Sequence, residues 1–140
     1  MNIRLIYFDM PFWRAEASRI ALFLGGIPFD EVLRQLAHTL KDSVRTDHFT
    51  ARLGGDEFLI ICPDTDLNGA LIIAEKMRCV VDAMRVPTGN DGVWKGSISV
   101  GVACRAEAMK GPDDLIKAAD NGVYLAKEAG RNCVRHTDIM

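Results

Sequence analysis

The stretch ARLGGDEFLIIC, residues 51–62, decides the fold of this chain because it reads as two strands joined by a tight turn. Gly54 and Gly55 stand between the two apolar runs and permit the backbone conformations that such a turn requires. Two adjacent carboxylates, Asp56 and Glu57, follow at once. The pattern is either a plain hairpin, or a place where backbone N–H groups meet a phosphate and carboxylates hold a divalent cation.

Outward from this hairpin, the hydrophobic pattern predicts elements in the order β-α-α-β-β-α-β-α-β. Asp30 and Asp66 are the expected N-caps of the second and third helices. The expected strands cover residues 3–8, 49–53, 58–62, 97–103 and 132–135; the expected helices cover 13–24, 30–44, 66–84 and 113–128; a loop or hairpin covers 86–94. This order predicts an α/β (α+β) sandwich of the ferredoxin-like type, with helices on a mainly antiparallel central sheet.

Composition restricts the class of protein. The 140 residues, 49% hydrophobic and 26% charged, predict one globular domain over residues 1–140. A net charge of −2 provides no basic field for nucleic acid. Nucleic acid is therefore not an expected partner. No apolar run is long enough to cross a bilayer and no secretory signal is evident, so a membrane is not an expected partner either, and a cytoplasmic location is expected.

The cysteines and histidines are too scattered to predict a metal or redox site. The four cysteines lack CxxC spacing and are expected to be free thiols. His38, His48 and His136 do not cluster either, and surface or capping roles are expected for them.

Three separated segments carry a resemblance to a known family: ARLGGDEFLII at 51–61, SISVGVA at 97–103 and AADNGVYLAKEAGRN at 118–132. In this order they resemble the GGDEF family of diguanylate cyclases, over about residues 31–136. The resemblance implies a nucleotidyl cyclase sandwich in which two GTP molecules, one on each of two domains, condense into cyclic di-GMP and release pyrophosphate. It also implies Mg²⁺ as cofactor and a homodimer for turnover.

By the family pattern, Asp56 is a catalytic residue that binds metal, and Glu57 is a catalytic residue that helps to activate the ribose 3′-hydroxyl. Gly54 and Gly55 would let the substrate nucleotide approach the turn.

Three further residues enter the expected site through the resemblance. Lys127 and Arg131 would contact the triphosphate, although cations near the end of a helix also have a purely structural explanation. Asp9, at the end of the first strand, stands where the first metal-binding aspartate of the family is expected.

The region between residues 5 and 30 departs from the family pattern. Pro11 replaces the second aspartate, the phosphate-binding lysine has no counterpart, and neither guanine-reading residue is present. Proline removes a backbone N–H, and Phe12 and Trp13 bring bulk where a polar cradle is needed. Tight GTP binding and discrimination for guanine are therefore not expected.

The same N-terminal region resembles the opening strand and helix of glutathione transferases. Tyr7 would correspond to the thiol-activating tyrosine after the first strand, and residues 14–16 to an Arg-Ala-Glu triplet. The remaining parts of that family are missing, so glutathione binding is only a minor alternative. The abrupt change near Asp30 favours an engineered or recombined chimera, in which residues 1–30 replace the first element of a GGDEF remainder.

Three functional hypotheses stay open. The first is an active diguanylate cyclase, the second a cyclase scaffold that has lost turnover, and the third a degenerate nucleotide sensor. The family's inhibitory product site is Arg-x-x-Asp before the turn, whereas residues 45–48 read Arg-Thr-Asp-His. Since the acid stands one place early, the second hypothesis is preferred to the third.

Overall fold

The computed structural model describes residues 3–9, 29–54, 57–87 and 92–137. Helices are numbered among these residues, and the helix expected at 13–24 lies outside them. The strands are β1 (Ile3–Asp9), β2 (Phe49–Gly54), β3 (Glu57–Pro63), β4 (Val86–Pro87), β5 (Val93–Trp94), β6 (Ser99–Cys104) and β7 (Val134–His136), and the helices are α1 (Phe29–Asp42), α2 (Leu67–Ala83) and α3 (Pro112–Glu128).

Five strands form the main sheet in the order β2-β3-β1-β6-β7. Strand β1 is central and runs antiparallel to both neighbours, from Ile3 opposite Pro63 to Asp9 opposite Glu57 on one side. Only the β6–β7 pair is parallel among these strands. The predicted sandwich with a mainly antiparallel sheet is therefore confirmed, and the leading strand completes the centre of the sheet.

The two faces of the sheet are covered by different helices. Helices α1 and α2 cover the first face, where their apolar stripes pack against alternate residues of β3 and β6 such as Phe58, Ile60 and Val100. Helix α3 covers the second face, with Leu115, Ala119 and Val123 buried against Leu59 and Ala103. This alternation is the period of two that places successive strand residues on opposite faces.

Two glycines bring α3 unusually close to the sheet. A Cβ on Gly101 would lie 2.0 Å from the carbonyl oxygen of Ala119 and 2.5 Å from the amide nitrogen of Val123. A Cβ on Gly122 would lie 2.9 Å from the Cα of Gly101. The backbones of α3 and β6 are therefore in direct contact, which fixes the position of the helix along the strand.

Several predicted boundaries need correction. Asp30 is not an N-cap, because α1 includes Phe29 and a capping residue has a non-helical backbone. Asp66 is an N-cap as expected, and its carboxylate accepts a 2.7 Å hydrogen bond from the amide of Gly69. The segment at 86–94 contains a small hairpin in which β4 pairs with β5, apart from the main sheet.

Within the described part of the chain, no helix is both long and apolar enough to cross a membrane.

Candidate functional site

Three of the expected site residues, Asp9, Gly54 and Glu57, lie at one end of the main sheet. Strand β1 ends at Asp9, β2 ends at Gly54, and β3 begins at Glu57. In the strand register, Asp9 lies opposite Glu57 on one side and opposite Ser99, the first residue of β6, on the other. Gly55 and Asp56 lie outside the described residues, between the ends of β2 and β3.

Helix α3 carries Lys127 to the same end of the sheet. Since α3 connects the parallel strands β6 and β7, it runs back antiparallel to β6. Contacts follow this direction, because Leu115 and Ala103 share one cluster while Ala119 touches Gly101. The last turn of α3, with Lys127, therefore lies near the start of β6.

A left-handed turn follows α3 and carries Arg131. Gly130, Arg131 and Asn132 have φ values of 105°, 67° and 46°. The amide of Arg131 donates a 2.9 Å hydrogen bond to the carbonyl of Ala126. Positive φ is uncommon for residues other than glycine, so the surrounding structure must hold Arg131 and Asn132 in place.

The side chain of Asn132 supplies this support by joining the turn to α2. Its carbonyl oxygen accepts a 3.0 Å hydrogen bond from Arg78, and its amide nitrogen donates one of 3.0 Å to Asp82. Arg78 is itself paired with Glu75 at 2.7 Å, and this contact lowers the pKa of the Glu75 carboxyl. Sequence reasoning missed this clamp, because its partners are 50 and 54 residues apart along the chain.

The expected metal ligands have the chemical type that suits a hard divalent cation. Asp9, Asp56 and Glu57 are oxygen donors, the type that Mg²⁺ prefers. The hydroxyl of Ser99, which is fully buried and lies opposite Asp9 in the strand register, forms no hydrogen bond with the residues that the structure describes. Among the described residues, no three His, Cys, Asp or Glu side chains are grouped as metal ligands.

A cavity of about 570 Å³ lies between α1 and the β2–β3 hairpin. Three of its lining residues are cations: Arg34 and Lys41 on α1, and Arg52 on β2. Arg52, two residues before Gly54, lies directly opposite Phe58, the residue after Glu57. The cavity therefore lies beside the two strands that flank the turn. The seven-residue spacing of Arg34 and Lys41 is the only signal of it in the sequence, and it was missed.

The segment before β2 does not present the expected product site. Arg45 pairs with Asp47 at 3.0 Å, and both side chains are largely exposed. His48 is buried, and neither of its ring nitrogens forms a hydrogen bond within the described part of the chain, so the expected surface or capping role is wrong for this histidine. Burial lowers the pKa of His48, more than the nearby Asp47 raises it.

Tyr7 lies within β1, between Leu59 and Gly101 in the register. It does not follow the first strand, which is the position that the glutathione transferase resemblance requires. Residues 14–16 lie outside the described residues.

Comparison with known proteins identifies the family. Residues 20–133 match the diguanylate cyclase GGDEF domain. The chain is 44% identical over 107 residues to response regulator PleD of Caulobacter vibrioides, covering 75% of this chain and 23% of PleD. It is 33% identical over 115 residues to the probable diguanylate cyclase DgcT of Escherichia coli, covering 79% of this chain and 25% of DgcT. The chain thus spans about a quarter of the length of these curated relatives.

Solved structures show the same fold. The GGDEF domain of PA1120 from Pseudomonas aeruginosa has a TM-score of 0.83 at 24% identity, covering 99% of this chain and 84% of that one. The GGDEF domain of DgcB from Caulobacter crescentus, solved in complex with c-di-GMP, also has a TM-score of 0.83 at 24% identity. That match covers 96% of this chain and 77% of the DgcB chain. From its sequence match and its fold, this chain belongs to the diguanylate cyclase GGDEF domain family.

Proposed function

We propose that this chain has the scaffold of a GGDEF-type diguanylate cyclase and that its turnover is lost or very weak. The observation that carries the scaffold part is the meeting of Asp9, Glu57 and the last turn of α3 at one end of the sheet. The low turnover follows from the sequence after Asp9, where Pro11, Phe12 and Trp13 replace a polar phosphate cradle.

The reaction proposed for the family scaffold converts two GTP molecules into cyclic di-GMP and two pyrophosphates. In each half, the ribose 3′-oxygen forms a bond to the α-phosphorus of the other nucleotide, and the bond to the pyrophosphate oxygen breaks. Glu57 helps to remove the proton from the 3′-hydroxyl. Because each domain holds one nucleotide, turnover needs a homodimer with two sites face to face.

Asp9 and Asp56 are the residues that would hold Mg²⁺. The ion would neutralise phosphate charge and lower the pKa of the attacking hydroxyl. Gly54 and Gly55 leave room for the nucleotide at the turn, and Lys127 and Arg131 neutralise its triphosphate.

Incubating the purified chain with GTP and Mg²⁺, while following pyrophosphate and cyclic di-GMP, tests the turnover part directly. We expect product at or barely above the level of an Asp56→Ala variant. Robust turnover that disappears in Asp56→Ala would support the alternative, a catalytically active cyclase, and overturn the proposal of lost activity.

We also propose that residues 1–30 include a segment foreign to the family, joined as a chimera to the GGDEF remainder. The missing polar residues after Asp9 and the resemblance of residues 3–32 to the start of a glutathione transferase support this origin. The family match covers residues 20–133 and does not include residues 1–19, although the fold of a solved GGDEF domain covers 99% of this chain. A strand can be exchanged between folds when its apolar residues fit the recipient core, and β1 pairs along its whole length.

The ion pair between Arg45 and Asp47 bears on the third hypothesis, a sensor of cyclic di-GMP. With Asp47 one place early and His48 buried, the family's acid is not available at its usual position. We therefore expect no micromolar binding of cyclic di-GMP in calorimetry. Micromolar binding that is lost in Arg45→Ala would instead favour the sensor.

A further inference from the structure

A second cavity, of about 360 Å³, lies on the face of the sheet that α3 covers. It is bordered by β3, by the start of α3 and by the loop of residues 105–111 that joins β6 to α3. Most of the side chains that line it are apolar: Leu59, Ile61, Met109, Pro112, Leu115 and Ile116. A cavity of this size with a mainly apolar lining is typical of a site for a small molecule.

Hydrogen bonds hold the loop side of the cavity in place. The amide of Met109 donates to the carbonyl of Ala106 at 3.1 Å, and the amide of Lys110 donates to the carboxylate of Asp114 at 2.8 Å. The second of these bonds ties the loop to the first turn of α3. Because the cavity is already formed, a ligand would not have to order this loop in order to bind.

Two cations accompany the apolar lining. Arg105 and Lys110 both line the cavity, and both residues are exposed. Within the described part of the chain, neither side chain forms a hydrogen bond or an ion pair. The acidic residues of the loop and the first turn of α3, Glu107, Asp113 and Asp114, do not line the cavity. An apolar interior with exposed positive charge beside it is the complement of an amphiphilic anion.

We propose that this cavity binds a medium-chain fatty acid, with the alkyl chain against the apolar lining and the carboxylate between Arg105 and Lys110. The volume of about 360 Å³ holds about twelve water-sized groups of about 30 Å³ each, which suits a chain of about ten carbons. Burial of the chain supplies most of the affinity, and the two cations set the orientation of the carboxylate.

The cavity is separate from the proposed cyclase chemistry. Arg105 directly follows the end of β6 at Cys104, which lies at the same end of the sheet as Cys62 near the end of β3. The turn lies at the opposite end, where β3 begins at Glu57. Fatty acid binding and cyclase turnover can therefore be tested independently.

Calorimetry with alkyl carboxylates of increasing length tests the apolar part on the full chain. From hexanoate to decanoate, the affinity should rise about fourfold for each added methylene, the factor that burying one methylene contributes. Ile116→Trp fills the cavity and should abolish saturable binding of decanoate. Ile72→Trp is its control, because Ile72 is 70% exposed on α2 and does not line the cavity, and it should bind decanoate like the wild type.

Removing the two cations tests the place of the carboxylate. The double variant Arg105→Ser, Lys110→Ser should weaken decanoate binding about tenfold and leave the binding of uncharged decanol unchanged. The double variant Lys95→Ser, Lys117→Ser removes the same charge from exposed positions outside the cavity, and it should change neither affinity. An equal loss of decanoate affinity in both double variants would overturn the pairing with Arg105 and Lys110.

The proposal as a whole is overturned if the wild type shows no saturable binding of decanoate, or if a folded Ile116→Trp binds it equally well. Stronger binding of decyltrimethylammonium than of decanoate would also overturn it, because the cavity would then prefer a cation. A wild type that dimerises in sedimentation without binding decanoate, with Ile116→Trp monomeric, would assign the cavity to a second copy instead. If Ile116→Trp does not fold, the comparison of the two surface double variants still decides.

Discussion

Replacing Gly101 by alanine tests the close contact between α3 and the sheet. The added Cβ would lie 2.0 Å from the Ala119 carbonyl oxygen and 2.5 Å from the Val123 nitrogen. Ordinary contacts between such atoms are about 3.5 Å. Both clashing atoms belong to the helix backbone and cannot rotate away, so α3 must move outward by on the order of 1.5 Å.

The expected cost of this movement is at the upper end of overpacking effects, about 3 kcal/mol or more. The displacement opens the cluster in which Leu115, Ala118, Ala119 and Val123 are buried. With a urea m-value of about 2 kcal/mol/M, the unfolding midpoint of Gly101→Ala should fall by about 1.5 M. Urea unfolding followed by circular dichroism measures this shift.

Gly111→Ala is the matched control at the N-cap of the same helix. No atom lies within 4 Å of a Cβ placed there, and its extended backbone, with φ of −170°, is open to any residue. Its cost should stay within about 1 kcal/mol, from the weaker capping of alanine. If both variants unfolded at the same urea concentration, α3 could not be seated on β6 as described.

Three further predictions concern the histidine, the cysteines and the turn after α3. Burial lowers the folded-state pKa of His48, so protonation opposes folding, and the free energy of unfolding should fall as the pH drops below about 6.5. In urea unfolding, His48→Gln should reduce this fall, and the control His38→Gln should not. Burial raises the pKa of Cys62 to about 11, so a thiol reagent at pH 8 should label the exposed Cys79 and leave Cys62 unmodified. Rapid labelling of Cys62 would contradict its burial. Asn132→Ala should weaken Mg²⁺–GTP binding about tenfold in calorimetry, the equivalent of 1.4 kcal/mol, and unchanged affinity would show that the clamp does not position the turn.

Sequence patterns predicted the fold well where burial and spacing agree. The strand at the start of the chain and the hairpin at 51–62 are both confirmed, because a run of β-branched residues and a glycine turn leave few alternatives. Asp66 was identified as a cap since it precedes a long apolar pattern. Asp30 has the same appearance but lies within α1, since the helix starts earlier than the capping signal suggests.

The site could be predicted only in part. The glycines and carboxylates of the turn are contiguous in sequence, so a motif identifies them. The clamp on Asn132 joins residues far apart in the chain, and the strand register sets Asp9 between Glu57 and Ser99, so only the folded structure brings these residues together. His48 was misjudged because nothing local distinguishes a buried histidine from an exposed one.

The measurement that tests the central claim most directly is a calorimetric comparison of Mg²⁺–GTP and Mg²⁺–ATP binding to the wild type and to Asp56→Ala. If the cyclase sheet end is intact while the guanine-reading residues are missing, both nucleotides should bind weakly, with affinities within a few-fold of each other and dependent on Asp56. A preference for GTP of about a hundredfold, near 2.7 kcal/mol, would contradict the account, because it would require a base-reading pocket that the sequence after Asp9 does not supply.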